Sequence, residues 1–159
     1  MKYHNPVLVN EINQILAPFD SKTIIDTTLG NGGHTINFLS HGATVFGIDK
    51  DQTNLKITTD RIKKLNLEKK FTGILSDFAD LSLVSKKIIK RPVDAILFDL
   101  GLSINQQKST NRGFSFQDDL SLDMRLNQNQ KTPTAKDIVN SYSVQDLFRI
   151  FSVLGQEVH

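Results

Sequence analysis

The sequence predicts an α/β domain: a parallel β-sheet with helices on both faces. Short runs of β-branched and aliphatic residues alternate with segments of helical periodicity along the first hundred residues. Such alternation is typical of parallel sheets wound with right-handed crossovers. Several of the runs are continuously apolar, which is typical of strands buried on both faces. The predicted strands are residues 23–26, 44–48, 71–75 and 93–98.

The helices around these strands are predicted from apolar spacing and end signals. Asn5 and Pro6 suit the cap and first turn of a helix that ends at Pro18. A short helix is predicted at residues 36–40 and a longer polar one at 53–65. The residues expected to face inward are Leu8, Ile12, Ile15 and Leu16 in the first helix, Leu55, Ile62 and Leu65 in the third, and Leu81, Val84, Ile88 and Ile89 in a fourth.

The alternation ends after Gly101. Residues 104–133 are rich in Ser, Asn and Gln and predict a polar loop region between the first part of the α/β domain (1–103) and a helical segment (134–159). In that segment, Thr134 and Ser143 each precede an Asp by three residues, in the manner of a capping box. The last helix carries an apolar stripe and a terminal glycine: Leu147, Ile150, Phe151, Leu154 and Gly155.

These elements would leave apolar surface uncovered. A four-stranded sheet would keep an open edge, and the stripe on the last helix needs a covering element. We therefore expect the sequence to be a fragment of a longer protein or a truncated copy of one.

Composition excludes some classes of protein. The 159 residues include no cysteine, which excludes disulfides and thiolate metal sites, and no other ligand cluster predicts a metal. No apolar run approaches the roughly 20 residues of a membrane span, and no signal-peptide stretch follows Met1. We expect a cytoplasmic protein without membrane association.

The charge of the chain weakly favours a nucleic-acid partner. The net charge is +2 and the pI is about 8.8. Between Arg61 and Arg91, nine Lys or Arg residues stand against three acids. Solvated helix ends are the favoured interpretation of this segment, ahead of an RNA-binding face.

An aspartate follows each predicted strand, at the edge where open parallel sheets bind ligands. A single aspartate there could simply cap a helix. Four on one rim indicate a ligand rich in hydroxyl and amino donors, such as a nucleoside. The four are Asp26, Asp49, Asp77 and Asp99.

A glycine-rich turn, residues 28–33, follows the first strand. Glycines allow a ligand to approach the backbone closely, and Asp49 lies 19 residues after Gly30, a usual distance for an acid that binds ribose hydroxyls. Oxidoreductases that bind dinucleotides share these features with methyltransferases, and a plain strand-to-helix turn is the alternative. Because Thr35 replaces the third glycine of the dinucleotide fingerprint, a methyltransferase is favoured. We expect His34 to lie near the cofactor rather than to act as a base.

The polar region contains side chains that suit RNA. Arginines can contact phosphates, and exposed phenylalanines can stack on bases. The alternative is that the apolar residues pin the loop onto the domain, and composition leaves both open. The candidate RNA contacts are Arg112, Phe114, Phe116 and Arg125.

Six segments of the chain carry specific motifs: His4–Leu8, Asp26–His34, Asp49–Asp51, Asp99–Ser103, Arg112–Phe116 and Leu122–Arg125. Together these motifs resemble the ribosomal RNA small subunit methyltransferase H family over nearly the whole chain. Three places depart from the family's usual sequence. Asn31 replaces Arg, Ile104–Lys108 replaces Ser-Pro-Gln-Leu-Asp with only Gln106 kept, and Gln156 replaces Glu.

The resemblance implies a Rossmann-like S-adenosylmethionine-dependent methyltransferase fold, with a helical insertion that begins in the last third of this chain. It implies N4-methylation of a cytidine in small-subunit ribosomal RNA, with that RNA or the small ribosomal subunit as partner. Asp99, or a carbonyl of residues 101–103, is the candidate to face the reacting amine. The residues implied to contact S-adenosylmethionine are Gly32, Gly33, His34, Asp49, Phe78, Asp99 and Gln106.

Two other functions are compatible with the same residues. A nucleotide-dependent oxidoreductase would prefer NAD to S-adenosylmethionine. A non-catalytic RNA-binding remnant of a methyltransferase would bind RNA with a steep salt dependence and would transfer no methyl group.

Overall fold

A computed structural model describes residues 6–88, 90–108, 112–116 and 121–157. Its sheet has four parallel strands in the order β3-β2-β1-β4, so the crossovers are those of a Rossmann-like fold, as predicted. The strands β1 and β2 are central and β3 and β4 are outer. The bounds are Thr23–Asp26 for β1, Thr44–Asp49 for β2, Phe71–Leu75 for β3 and Ala95–Leu97 for β4.

Helices connect these strands and continue after them. Within the described residues the α-helices are α1 (Val9–Leu16), α2 (Gly33–Ser40), α3 (Gln52–Lys64), α4 (Leu81–Ile88), α5 (Ile104–Lys108), α6 (Ala135–Ser141) and α7 (Val144–Arg149). Short 3₁₀ turns at Glu68–Lys70 and Phe78–Asp80 flank β3, and a π-helical turn, Ile150–Leu154, follows α7.

Two apolar clusters cover the two faces of the sheet. Neighbouring residues of a strand point to opposite faces, and Ile24 and Ile25 accordingly belong to different clusters. The cluster around Ile24 includes side chains of α1, α2 and α3, and the one around Ile25 includes Val84 of α4. Helices therefore lie on both faces, as the sequence predicted.

Some expectations about individual elements were wrong. The first helix begins at Val9 rather than at Pro6, because Leu8 has a left-handed backbone (φ 56°) that a helix cannot continue through; Asn5 and His4 lie outside the described residues. Ile12 and Leu16 pack on the core, whereas Leu8, Ile15 and Leu65 are exposed.

The sheet and loop expectations also need correction. β1 is buried throughout, and β2 is buried at every residue but its first. β3 and β4 are partly exposed because they are the outer strands of the described sheet, and β4 is shorter than predicted. The polar region contains a helix, α5, that its composition did not reveal. Ile89 lies outside the described residues.

The chain divides into two compact units, Met1–Asn105 and Gln106–His159, and the division falls within α5. In the second unit, Thr134 and Asp137 form the predicted capping box, and the Ser143 hydroxyl accepts the N–H of Asp146 at 3.2 Å. The apolar stripe after it is half-buried at Leu147 and Ile150 and exposed at Phe151 and Leu154. Among the described residues, no helix has the length and hydropathy needed to cross a membrane.

Candidate functional site

The four aspartates lie at the carboxyl edge of the sheet. Asp26 and Asp49 are the last residues of β1 and β2. Asp77 caps the 3₁₀ turn after β3, and Asp99 follows β4 by two residues. This placement follows from the parallel order, since all four strands end at the same edge. No group of three or more His, Cys, Asp or Glu side chains in the described ranges could hold a metal ion.

The glycine-rich turn has a backbone conformation that glycine adopts without strain. Gly30 and Gly32 have φ values of +50° and +75°, a region that other residues enter at a cost. Gly32 also lies against α3, where an added Cβ would overlap the Thr58 methyl group. The Thr58 hydroxyl donates to the Gly30 carbonyl at 2.8 Å, so α3 holds the turn in place.

Asp49 holds the turn from the other side. Its Oδ2 accepts the N–H of Gly30 at 2.8 Å, and its Oδ1 accepts the N–H of Asp51 at 2.7 Å. The Asn54 amide adds a contact of 3.3 Å to Oδ2. Burial raises the pKa of Asp49 and these donors oppose the rise. The 19-residue spacing seen in the sequence therefore corresponds to a direct hydrogen bond between the turn and the end of β2.

A short polar chain joins Asp49 to the segment after β4. Asn54 accepts a hydrogen bond from the Ser103 hydroxyl at 3.1 Å, and the Asn105 amide donates to the side-chain oxygen of Asn31. The N–H of Asp99 donates to the Thr28 hydroxyl at 2.8 Å. The segment from Asp99 to Asn105 is thus fastened to the glycine turn at several points.

Asp26 is the most deeply buried of the four acids. Its Oδ2 accepts the Thr35 hydroxyl at 2.7 Å and its Oδ1 accepts the N–H of Thr28 at 3.2 Å. Burial raises the pKa of Asp26 to about 6 despite these two donors. Asp26 therefore links the turn, through Thr28, to α2, through Thr35, and is not exposed to a ligand.

His34 and Asp99 form the more accessible part of the site. The His34 side chain is buried, and its Nε2 lies 3.8 Å from Oδ2 of Asp99, whose side chain is about half exposed (51%). Burial lowers the pKa of His34, while the carboxylate of Asp99 opposes that change. Nδ1 of His34 has no hydrogen-bond partner within the described part of the chain.

An aromatic pair borders the same edge. Phe78 and Phe98 meet edge-to-face with centroids 6.0 Å apart, and each is nearly half exposed. The turn that carries Phe78 is held by Asp77, which accepts the N–H of Ala79 at 3.0 Å and pairs with Lys50 Nζ at 2.7 Å. The Lys50 ammonium, followed by the Ala79 N–H, lowers the pKa of Asp77.

The remaining candidate residues belong to the second unit. Gln106 lies in α5. The guanidinium of Arg112 donates to the carbonyls of Arg125 (3.0 Å) and Leu126 and lies 5.7 Å from the Phe114 ring centre. Arg125 forms two hydrogen bonds with the Asp123 carboxylate, at 2.6 and 2.9 Å. The fourth candidate, Phe116, is fully exposed.

Sequence reasoning missed several residues that build the site. Asn54 and Thr58 are buried polar residues one helical turn apart on α3, and both support the glycine turn. The i, i+4 spacing of two polar residues on the core side of a helix was the only available signal. Lys50 lies within the Asp49–Asp51 segment and Phe98 directly precedes Asp99, but nothing in the sequence connects either residue to the turn at Phe78.

The arrangement can bind a nucleoside-like ligand. It offers a fixed turn with close backbone access, carboxylates that can accept from hydroxyl and amino groups, and a pair of half-exposed rings suited to apolar contact. The half-exposed Asp99 is the acid best placed to meet a reacting group, because Asp26 and Asp49 are buried and engaged.

Comparisons with known proteins show similarity to methyltransferases. A family model described as the MraW methylase family matches residues 1–159. The ribosomal RNA small subunit methyltransferase H of Myxococcus xanthus is 40% identical over 154 residues, which cover 97% of this chain and 48% of that protein. Its counterpart from Thermotoga neapolitana is 36% identical over 98% of this chain and 51% of that protein. The chain spans about half the length of these curated relatives.

Solved structures show the same fold. A methyltransferase from Streptococcus mutans in complex with SAH has a TM-score of 0.53 and 26% identity, covering 70% of this chain and 61% of that chain. An rRNA methylase from Streptococcus thermophilus has a TM-score of 0.51 and 26% identity, covering 60% of this chain and 56% of that chain.

Proposed function

This chain belongs to the MraW methylase family, and we propose that it acts as part of an S-adenosylmethionine-dependent enzyme that methylates N4 of a cytidine in small-subunit ribosomal RNA. The observation that best supports this function is the glycine turn closed by Asp49 beside the half-exposed Asp99. Names of its relatives support the RNA substrate, and a structural neighbour solved with SAH supports the cofactor. Membership of a methylase family favours a methyltransferase over the alternative of a nucleotide-dependent oxidoreductase.

The residues at the carboxyl edge fit S-adenosylmethionine. Gly32 caps α2, and its N–H already donates to the Leu29 carbonyl at 2.8 Å. The N–H groups of the first turn of α2, from Gly33 on, have no acceptor within the helix and can meet the anionic end of a ligand. Both oxygens of Asp49 carry hydrogen bonds, but a carboxylate has about four acceptor positions and can still receive a ribose hydroxyl. Phe78 offers an apolar surface. We include His34 and Asp99 among the residues that hold the cofactor, and the role of Gln106 stays an implication of the family resemblance.

When bound, S-adenosylmethionine supplies an electrophilic methyl group on a sulfonium. The protein's task is to orient the cytosine amine toward it and to exclude unproductive geometries. The amine is a poor nucleophile because its lone pair is delocalised into the ring. The Asp99 carboxylate accepts a hydrogen bond from this amine and stabilises the positive charge that develops on it. Because its side chain is half exposed, it can pass the released proton to water.

Two neighbours prepare Asp99 for this role. The hydrogen bond from its N–H to Thr28 fixes its backbone against the glycine turn. His34, with its lowered pKa, is neutral at pH 7 and does not compete as a cation for the carboxylate. The pair therefore leaves the negative charge of Asp99 available to the substrate.

The test is methyl transfer from labelled S-adenosylmethionine to small ribosomal subunits. Removing a transition-state acceptor typically costs about a hundredfold or more in rate, so Asp99→Ala should lose at least that factor while keeping its fold. Asp99→Asn keeps the size of the side chain but not its charge, so its rate of methyl transfer should lie between those of the wild type and Asp99→Ala. Transfer by Asp99→Ala at the wild-type rate would contradict the role of this carboxylate.

A further inference from the structure

The loop of residues 112–116 in the second unit exposes the ring of Phe116 to solvent and buries the charged side chain of Arg112. Phe116 is fully exposed, at 110% of its reference accessibility, whereas the Arg112 side chain is only 9% exposed. This is the reverse of the usual preference of the two residue types. An exposed ring on its own carries little meaning, so the surroundings of the loop decide its interpretation.

The guanidinium of Arg112 is directed into the unit. It donates to two backbone carbonyls, those of Arg125 and Leu126, and lies over the Phe114 ring. In turn, the Arg112 carbonyl accepts the N–H of Met124 at 2.8 Å. Arg112 therefore ties the loop to residues 124–126, and its charge is used within the protein.

The second arginine is engaged in the same way. Arg125 makes a bidentate contact with Asp123, and its Nη1 donates to the carbonyls of Gln130 (2.9 Å) and Thr132 (3.3 Å). Asp123 also accepts the Gln128 amide at 3.1 Å, and the Arg125 hydrogen bond is the main cause that lowers its pKa. Paired and planar contacts of this kind fix a guanidinium in one orientation.

The backbone at Gly113 completes this support. Its φ of +72° is in the left-handed region, and an added Cβ would overlap the carbonyl of Ser121. The loop is thus packed closely against residues 121–123 while Phe116 projects from it.

We propose that Phe116 stacks on an unpaired nucleobase of the RNA substrate, and that the two arginines position the loop instead of contacting phosphate. This inference rests on the proposed function for the presence of RNA. Sequence-specific RNA contacts commonly stack splayed bases on aromatic rings, and a ring held on a fixed loop loses little conformational freedom on binding. Phe114 differs because its ring is covered by Arg112.

The chain contains no tryptophan, so Phe116→Trp creates a single fluorescent reporter. Stacking of a base on the indole should quench its emission during titration with small-subunit RNA. Two matched controls should show little quenching. Phe114→Trp places the indole at the ring position that Arg112 covers, and Phe148→Trp places it on α7 at a position that is 72% exposed. Equal quenching at all three sites, or none at Phe116→Trp when RNA is bound, would overturn the proposal.

Affinity provides the second measurement. Because one stacked base is lost, Phe116→Ala should weaken RNA binding roughly tenfold. Phe116→Leu should weaken it similarly because leucine has no ring. Phe116→Tyr should bind like the wild type. Full affinity in Phe116→Ala would overturn the proposal, and cofactor binding measured on each variant separates this outcome from failure of the methylase site.

Salt dependence tests the role of the arginines. Each lost phosphate contact lowers the slope of log K against log salt by about 0.7–1. Arg125→Gln should reduce RNA affinity without altering that slope, because the residue supports the loop. A slope reduced by about one would identify Arg125 as a phosphate contact and contradict its positioning role.

Discussion

An aspartate lies at or two residues after the end of every strand, but the inner and outer strands place it in different environments. Asp26 and Asp49, at the ends of the central strands, are buried and accept hydrogen bonds from the glycine turn and its neighbours. Asp77 and Asp99, after the outer strands, retain exposed side-chain surface of 26% and 51%. Both inner acids therefore support the turn, and the outer acids are the more accessible to ligands.

This difference teaches that position on the rim does not by itself define a role. All four acids meet the topological rule for ligand binding in open parallel sheets. What separates them is burial and the number of donors each already satisfies. Changes in the inner pair should therefore act mainly on stability, with Asp49 keeping one acceptor position for a ribose hydroxyl, and changes in the outer pair should act mainly on binding and rate.

Asp49→Ala should have the largest effect on stability. It leaves the part-buried N–H of Gly30 and the buried N–H of Asp51 without their acceptor, and each such loss costs about 1–3 kcal/mol. We expect about 4 kcal/mol lower unfolding free energy in urea titration. The outer-strand counterpart, Asp99→Ala, should change it by less than about 0.5 kcal/mol; equal losses in both variants would break the distinction between the two pairs.

Gly32→Ala should have the second largest effect on stability. The left-handed backbone and the overlap with Thr58 together cost about 3 kcal/mol. Adding Thr58→Ser removes the overlapping methyl group but keeps the hydroxyl that binds the Gly30 carbonyl. Urea denaturation of the double variant should recover the packing part of the loss and not the backbone part. Full recovery would mean that the φ of Gly32 costs nothing to other residues.

Asp26 should make stability depend on pH in a characteristic direction. Its pKa rises from 3.8 to about 6 on folding, so the folded state binds more protons between these values. The contribution of Asp26 is therefore fully present below pH 3.8 and is lost as pH rises through 6, by at most about 3 kcal/mol. Asp77, whose pKa is lowered, contributes in the opposite direction.

The check is to compare the unfolding free energies of the wild type and Asp26→Asn from pH 4 to 7. The amide keeps an acceptor for Thr28, and the Thr35 hydroxyl can turn to accept from its NH₂ group. The stability of Asp26→Asn relative to the wild type should rise with pH over this range. A constant difference would show that Asp26 does not titrate there.

Lys50→Met should have the smallest effect on stability. The Lys50–Asp77 pair is partly exposed, and such pairs contribute about 0–1 kcal/mol. Its loss should instead loosen the turn that carries Phe78 and weaken S-adenosylmethionine binding a few-fold in calorimetry. Lys50→Arg, which keeps the charge, should lie closer to the wild type. Unchanged affinity in Lys50→Met would show that Lys50 does not contribute to S-adenosylmethionine binding.

Much of the first unit could be predicted because its signals are local. The central strands, the glycine turn and the four aspartates are set by short segments and by the parallel order that they imply. Asn54 and Thr58 could not be identified, since their importance depends on which face of α3 meets the turn. The exposure of Leu8 and Ile15 was missed because the helical period assumed a start that the backbone of Leu8 does not allow.

The second unit was less predictable for a related reason. Arg112 and Arg125 have the composition of RNA contacts, yet their guanidinium groups bind carbonyls and a carboxylate brought near by the loop. Sequence alone does not show such internal partners. The RNA-contact prediction for this region stays a prediction, with Phe116 as its most accessible candidate.

Calorimetric titration with S-adenosylmethionine, with NAD as the control ligand, tests the central claim that the carboxyl edge is a cofactor site. It should be run on the wild type, on Asp99→Ala and on Asp60→Ala, whose exposed carboxylate pairs with Lys56 on α3. We predict selective binding of S-adenosylmethionine, weakened about tenfold by Asp99→Ala and unaffected by Asp60→Ala. A folded chain that prefers NAD, binds neither ligand, or binds equally well without Asp99 would contradict the account.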